Sequence, residues 1–311
     1  MDLLNQTKVR EFVFFGLTDK ESLVPFLFLF FLIVYLVTMA GNFGMMSLVY
    51  NTSFLHTPMY YFLGFLSLVD LLYSTVITPK MLSDLVSKRK SISFNGCALQ
   101  LFFFAALAVT EALLLSGMSY DRYVAICHPL RYASIMTVKK CLWLVLLSSA
   151  LGFLQSLVQT SCVFSLCFCG GNLIDHFYCD IGPLLKLSCS ETVSCEMVTM
   201  FFTLSCGVGS LMTVLVSYAL IISSVLQMNS AEGRQKAFNT CSSHLTCVSI
   251  FYGTVFFIYL RPSSSASDKV DKVVSVFYSV VTPMLNPLIY SLRNQQVKQI
   301  IMDTLRKMAS R

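Results

Sequence analysis

The sequence predicts an all-α membrane protein, a bundle of seven transmembrane helices, and three observations carry that prediction. Seven stretches are long and apolar enough to cross a bilayer, little chain is left between them, and 56% of the residues are hydrophobic against 12% charged, with a mean hydropathy of +0.71. A span needs roughly 20 apolar residues. Backbone in lipid must also satisfy its own amides, which a helix does. This composition excludes an ordinary water-soluble domain.

In chain order the stretches are residues 23–55, 58–79 (interrupted by Asp70), 97–120 (interrupted by Glu111), 141–174, 197–231, 237–260 (with His244 near its start) and 273–292. The first, fourth and fifth contain no Asp, Glu, Lys, Arg or His. The connections 51–57 and 227–235 are short, so the helices they join are antiparallel neighbours. The connection after the fourth stretch, about thirty residues, is longer than such links usually are and is a candidate for function. Beyond Ser291 the chain turns polar, with Val297, Ile300, Ile301, Leu305 and Met308 near helical spacing. That pattern predicts a short amphipathic helix on the membrane surface. No internal repeat divides the chain: residues 1–22 form an N-terminal tail, 23–292 one seven-helix domain, and 293–311 the amphipathic helix and tail.

Orientation follows from Lys and Arg in the short loops. With the N-terminus outside, the second inner loop holds Arg122, Arg131, Lys139 and Lys140 against Asp121, and the third holds Arg234 and Lys236 against Glu232. The tail holds Arg293, Lys298, Arg306, Lys307 and Arg311 against Asp303. Lys88, Arg89 and Lys90 in the first outer loop break the rule without reversing the contrast. The basic inner face implies attraction to membrane lipid, and nucleic acid is not expected as a partner. The first 22 residues lack the pattern of a cleaved signal, so the first helix is expected to serve as the targeting signal. Asn5-Gln6-Thr7 is a glycosylation sequon on the lumenal side; Asn51-Thr52-Ser53, at an inner helix end, should stay bare.

Of twelve cysteines, Cys127, Cys141, Cys162, Cys206, Cys241 and Cys247 fall in or near spans and read as small packing residues. Five others, Cys167 to Cys195, lie in the long outer loop and face an oxidising compartment. Cys167-Phe168-Cys169 is too tight for a structural zinc site and His176 is the only nearby histidine, so disulfides are the better reading.

Ionisable groups inside spans are costly and point to function. Asp70 and Glu111 stand in apolar surroundings, with Asn42 and Asn286 as further polar groups able to join them. The pair holds either a cation, for which sodium is the candidate, or a shared proton; a purely structural, protonated role is the competing reading. Pro283 and Pro287 free carbonyls and bend the last helix, and Asn286 can bond beside the break. Asp121-Arg122-Tyr123 sits at an inner helix end, where the arginine faces water.

Together these pieces resemble the olfactory receptors, a family of rhodopsin-like G-protein-coupled receptors, from Glu11 to Asn294. The elements that carry the resemblance are Gly41-Asn42, the run from Leu55 to Tyr60 (LHTPMY), the run from Met118 to Cys127 (MSYDRYVAIC), Ser217-Tyr218, the run from Lys236 to His244 (KAFNTCSSH) and the run from Pro283 to Asn294 (PMLNPLIYSLRN). Ser119 and Asn239 depart from the usual alanine and serine.

The resemblance implies disulfides Cys97–Cys179 and Cys169–Cys189, leaving Cys167 and Cys195 either paired or reduced. It also implies a pocket among the outer halves of helices three, five, six and seven, lined by Phe104, Ala105, Ala108, Val109, Phe202, Thr203, Cys206, Tyr252, Val255 and Tyr259. That lining is apolar with a few hydroxyls and no acid, which suits a small, volatile, mostly apolar molecule. Agonist would open the inner face: Asp121 restrains Arg122, Tyr218 and Tyr290 swing inward, and the sixth helix, carrying Lys236 and His244, moves out. Asn286, Pro287 and Tyr123 belong to the same machinery. The expected partner is a stimulatory G protein of the olfactory type that raises cAMP, with arrestin and trafficking chaperones besides, in the plasma membrane of olfactory cilia. The alternatives are a receptor for a non-odorant small molecule, or an ion-coupled transporter, which lacks the inverted repeats and broken helices of that class. An enzyme is not expected, because His56, His128, His176 and His244 are scattered over both faces.

Overall fold

The computed structural model describes residues 9–18, 20–169, 171–259, 268–293, 297–300, 302 and 306. Seven long helices run α1 (Val24–Asn51), α2 (Pro58–Val86), α3 (Phe94–Cys127), α4 (Val138–Phe164), α5 (Val193–Leu226), α6 (Ala231–Tyr259) and α7 (268–293). Among the described residues six are long and apolar enough to cross a membrane. The remaining one, α6, has the length, and its first turns carry Glu232, Arg234 and Gln235. Large side chains such as Phe26, Phe43 and Leu154 face outward along the bundle, as lipid contact requires.

Helix α3 is the axis, packing against α2, α4, α5 and α6. Its approach to α4 depends on Gly152: a β-carbon there would stand 2.5 Å from Thr110 Oγ1 and 2.6 Å from the Ala106 carbonyl oxygen. One large core runs the length of the bundle.

Three features differ from the sequence reading. The N-terminal tail contains a strand, β1 (Glu11–Phe14), which pairs antiparallel with β2 (Ser91–Ser93) and parallel with β3 (Leu173–Ile174), giving the order β2-β1-β3. The alternation in Glu11-Phe12-Val13-Phe14 was the signal: Phe12 and Phe14 are buried and the other two half-buried. The apolar stretch 141–174 is also not one helix. Helix α4 ends at Phe164, and Ile174 is apolar because it enters a second core with Phe12, Phe14, Cys97, Leu101, Phe168 and Cys179. The third correction concerns Cys162. It lies in the last turn of α4, level with the start of α5, and bonds Cys195; it is not a packing residue. Cys167 is exposed and unbridged.

The other disulfides are Cys97–Cys179 and Cys169–Cys189, the two expected pairs. The basic run that breaks the charge pattern is tied to β1: Arg89 pairs with Glu11, and Lys90 Nζ reaches the Phe15 carbonyl at 3.5 Å. Asn5 lies outside the described residues. Of the expected C-terminal amphipathic helix, residues 297–300 are described as helical, with Val297 buried and Lys298 exposed.

Candidate functional site

A cavity of about 210 Å³ opens in the half of the bundle nearest the sheet. Its walls include Phe104, Ala105, Ala108 and Val109 of α3, Phe202, Thr203 and Cys206 of α5, and Tyr252 and Val255 of α6, all in the sequence-derived set. The side chain of Tyr259 lies outside the described residues. Both α5 and α7 widen to π-turns beside the cavity, at Thr203–Val208 and Phe277–Val281, a distortion frequent at functional sites.

Sequence reasoning missed the α4 wall, Gln155 and Gln159, although two amides one turn apart in an apolar span were a readable signal. It also missed Tyr73, Ser275 and Tyr278. The expectation of no acid in the lining is corrected by Asp180. Desolvation lifts this carboxyl above the usual range against the hydrogen bond from Ile181 N, 2.8 Å, by which it caps the short helix Ile181–Lys186.

The long loop closes the cavity as a lid. Beyond its disulfide to Cys97, Cys179 N donates to Gln100 Oε1 at 3.0 Å, and Tyr178 hydrogen-bonds Tyr278. Phe104 packs beneath at a tilt, its ring centroid 4.9 Å from Tyr178 and 5.2 Å from Tyr73. Asp175 accepts from Lys272 Nζ at 2.6 Å, and His176 Nε2 lies 3.3 Å from Ser275 Oγ. Burial, reinforced by the Lys272 charge and opposed by Asp175, pushes His176 down to about 3.

At mid-bundle Asn286 joins the two acids. Its Nδ2 donates to Asp70 Oδ2 at 3.0 Å and Oδ1 at 3.2 Å, and to Glu111 Oε1 at 3.2 Å. Asn42 stands apart from this contact. Pro287 cannot donate to the carbonyl four residues back, and Asn42 Nδ2 takes that oxygen, Pro283 O, at 3.0 Å. Gly41 allows the approach, since a β-carbon there would be 3.1 Å from Pro287 Cγ. Two carboxylates sharing one neutral donor suit compensation by a proton or a monovalent cation. Among the described residues no group of three or more His, Cys, Asp and Glu is arranged to hold a metal.

At the end away from the sheet, Arg122 donates to Asp121 Oδ2 through Nη2 at 2.6 Å and Nε at 3.2 Å. Asp121 Oδ1 also accepts from Tyr132 at 2.8 Å, a partner the sequence did not suggest. His244 Nε2 lies 3.0 Å from the Leu115 carbonyl, and its Nδ1 2.7 Å from Tyr218 OH. A carbonyl only accepts, so Nε2 carries the proton, Nδ1 accepts, and Tyr218 donates. Tyr290 is buried in the core, and Tyr123 OH lies 3.1 Å from His128 Nε2. The side chain of Lys236 lies outside the described residues.

The family profile described as "Olfactory receptor" matches residues 31–308. The chain belongs to the olfactory receptor family. It is 52% identical to mouse olfactory receptor 5AP2 over 301 residues, covering 97% of this chain and 95% of that one. It is 51% identical to human olfactory receptor 5F1, with 97% and 96% covered. Squid rhodopsin superposes with a TM-score of 0.74 at 17% identity over 92% of this chain and 82% of that one, a likeness of fold. As a member of that family the receptor belongs to the G-protein-coupled class, and its fold is that of a multi-pass membrane protein.

Proposed function

We propose that the receptor binds small, mostly apolar volatile molecules in the cavity and activates a stimulatory olfactory-type G protein, raising cAMP. The observation that supports this most is the cavity itself: about 210 Å³, walled mainly by apolar side chains with a few amides and hydroxyls and one carboxyl, Asp180, at the lid. That is below the range of drug-sized pockets and suits a small ligand. The cavity floor leads toward the Arg122 end, because Tyr252 OH donates to Ser210 Oγ at 2.8 Å and so links α6 to α5 about two turns above the Tyr218–His244 contact. A ligand acts only through its different affinity for two packings of these helices.

In this reading the N-terminus and lid are outside, Asp121, Arg122 and Tyr132 are inside, and the protein works in the plasma membrane of olfactory cilia. Asp70, Glu111 and Asn286 hold sodium or a shared proton whose loss accompanies opening. Arrestin and trafficking chaperones are further partners by family likeness. The test is a panel of apolar odorants on cells supplied with the G protein, scored by cAMP and surface staining, alongside Ala108→Phe, which fills the cavity. A surface-expressed receptor that answers no odorant, or an unchanged response in Ala108→Phe, removes the reading.

A further inference from the structure

We propose that a groove between α3 and α4, on the outer wall of the bundle at its Arg122 end, binds one anionic glycerophospholipid, with the phosphate on Lys140 and an acyl chain against Trp143. The groove has a volume of about 370 Å³ and is lined by Tyr120, Ile135, Met136, Lys140, Trp143 and Leu147, among others. Among the described residues no carboxylate lines it.

Its walls are held in place. Met136, 3% exposed, forms the floor, and the short helix Tyr132–Ile135 beside it is anchored by the Tyr132 bond to Asp121. Thr137 caps α4 by accepting from Lys140 N at 3.3 Å, fixing the turn that carries the lysine. Trp143, Leu147 and Tyr120 are 63%, 56% and 40% exposed, although each is large and apolar in body. From Lys140 to Leu147 the helix rises about 10 Å, the depth of the upper part of an acyl chain below its headgroup.

Charge selects the occupant. Residues 129–140 contain Arg131, Lys139 and Lys140 and no Asp or Glu. A cation at the mouth of an apolar groove matches a lipid with an anionic head and an apolar tail, and a lysine stem can lie along the tail while its ammonium reaches the phosphate. A sterol would leave that ammonium without a partner. The proposal rests on the orientation given above only for which leaflet supplies the lipid. In nanodiscs both faces meet the same lipids, so binding is tested apart from orientation and signalling.

Trp143 is the only tryptophan in the chain, so its fluorescence reports on this groove alone. The experiment uses the full-length receptor in zwitterionic nanodiscs containing a minor fraction of a lipid with brominated chains, either phosphatidylserine or phosphatidylcholine. The expected result is quenching by the serine lipid equal to about fivefold enrichment over the choline lipid, the effect of one lysine near an anionic headgroup. Lys140→Gln, at an exposed position, should bring the two lipids level, while Lys139→Gln, whose side chain does not line the groove, should keep most of the difference. Equal quenching by both lipids in the wild type overturns the proposal. So does an equal effect of the two lysine variants, which would mean diffuse surface charge, or stronger quenching by a brominated sterol at the same fraction.

Discussion

The sheet end of the receptor adds three disulfides, a three-stranded sheet and a separate small core to the helix packing, whereas the Arg122 end adds only single polar contacts to it: Arg122 to Asp121, Tyr132 to Asp121, and Tyr218 to His244. A disulfide contributes several kcal/mol and does not exchange in an oxidising space. A buried hydrogen bond contributes about 1 kcal/mol net, or roughly 1.5–3 kcal/mol where one partner is charged, and can be traded for another. One end is thus built to keep its shape, while the contacts at the other are of a kind that can be exchanged, as the proposed receptor mechanism requires. The cavity and the Asp70–Glu111–Asn286 contact lie between them.

The largest effect should come from the rigid end. Cys97→Ser or Cys179→Ser removes a bridge closing a sequence separation of 82 residues, about 4–5 kcal/mol on the chain-entropy scale. Both variants should fail to reach the cell surface. Cys162→Ser or Cys195→Ser, which opens a separation of 33, should reduce surface labelling less. Normal labelling and response in the Cys97 and Cys179 variants would show that the lid does not need its staple.

At the exchangeable end the opposite pattern is expected. Arg122→Ala should abolish odorant-driven cAMP while leaving surface staining near wild type. Tyr132→Phe removes only one hydrogen bond to the Asp121 carboxylate, of roughly 1.5–3 kcal/mol, and should raise basal cAMP a few-fold. A full cAMP response in Arg122→Ala takes that residue out of the mechanism.

Much of this contrast was legible in the sequence, though unevenly. The spans, the Asp70 and Glu111 pair and two disulfides followed from apolar length, buried charge and the family pattern. The rigid end was read less well, because its apolar residues serve a small core outside the lipid, and hydropathy alone cannot tell the two apart. Ile174 and Cys162 were misassigned for that reason. Asn42 was expected beside the acids, yet the carbonyl freed by Pro287 claims it, a competition that only three-dimensional proximity reveals. Tyr132 and the Leu115 carbonyl carry no sequence signature, since their role depends on which helix faces they meet.

Between the two ends, Asp70→Asn with Glu111→Gln should match each single variant in basal cAMP and thermal stability and not their sum, because one amide donor serves both acids. Additive losses would make the acids independent and end the single-site reading of sodium or a shared proton.

The smallest effect tests whether the rigid end is rigid under all conditions. His176 faces Lys272 and Ser275 from α7, Asp175 beside it, and Tyr178, and its folded value of about 3 lies below the ordinary 6.5. Between those values the unfolded chain takes up a proton that the closed lid refuses, so stability rises with pH across that window and falls on acidification. One pH unit below 6.5 the loss is about 1.4 kcal/mol, less than any single disulfide here. The apparent Tm of the purified receptor should therefore decline as pH drops from neutral toward 5, and His176→Gln, which keeps a hydrogen-bonding group without a titrating one, should flatten that decline. The same acid slope in the variant would assign it to another group and leave the lid indifferent to pH.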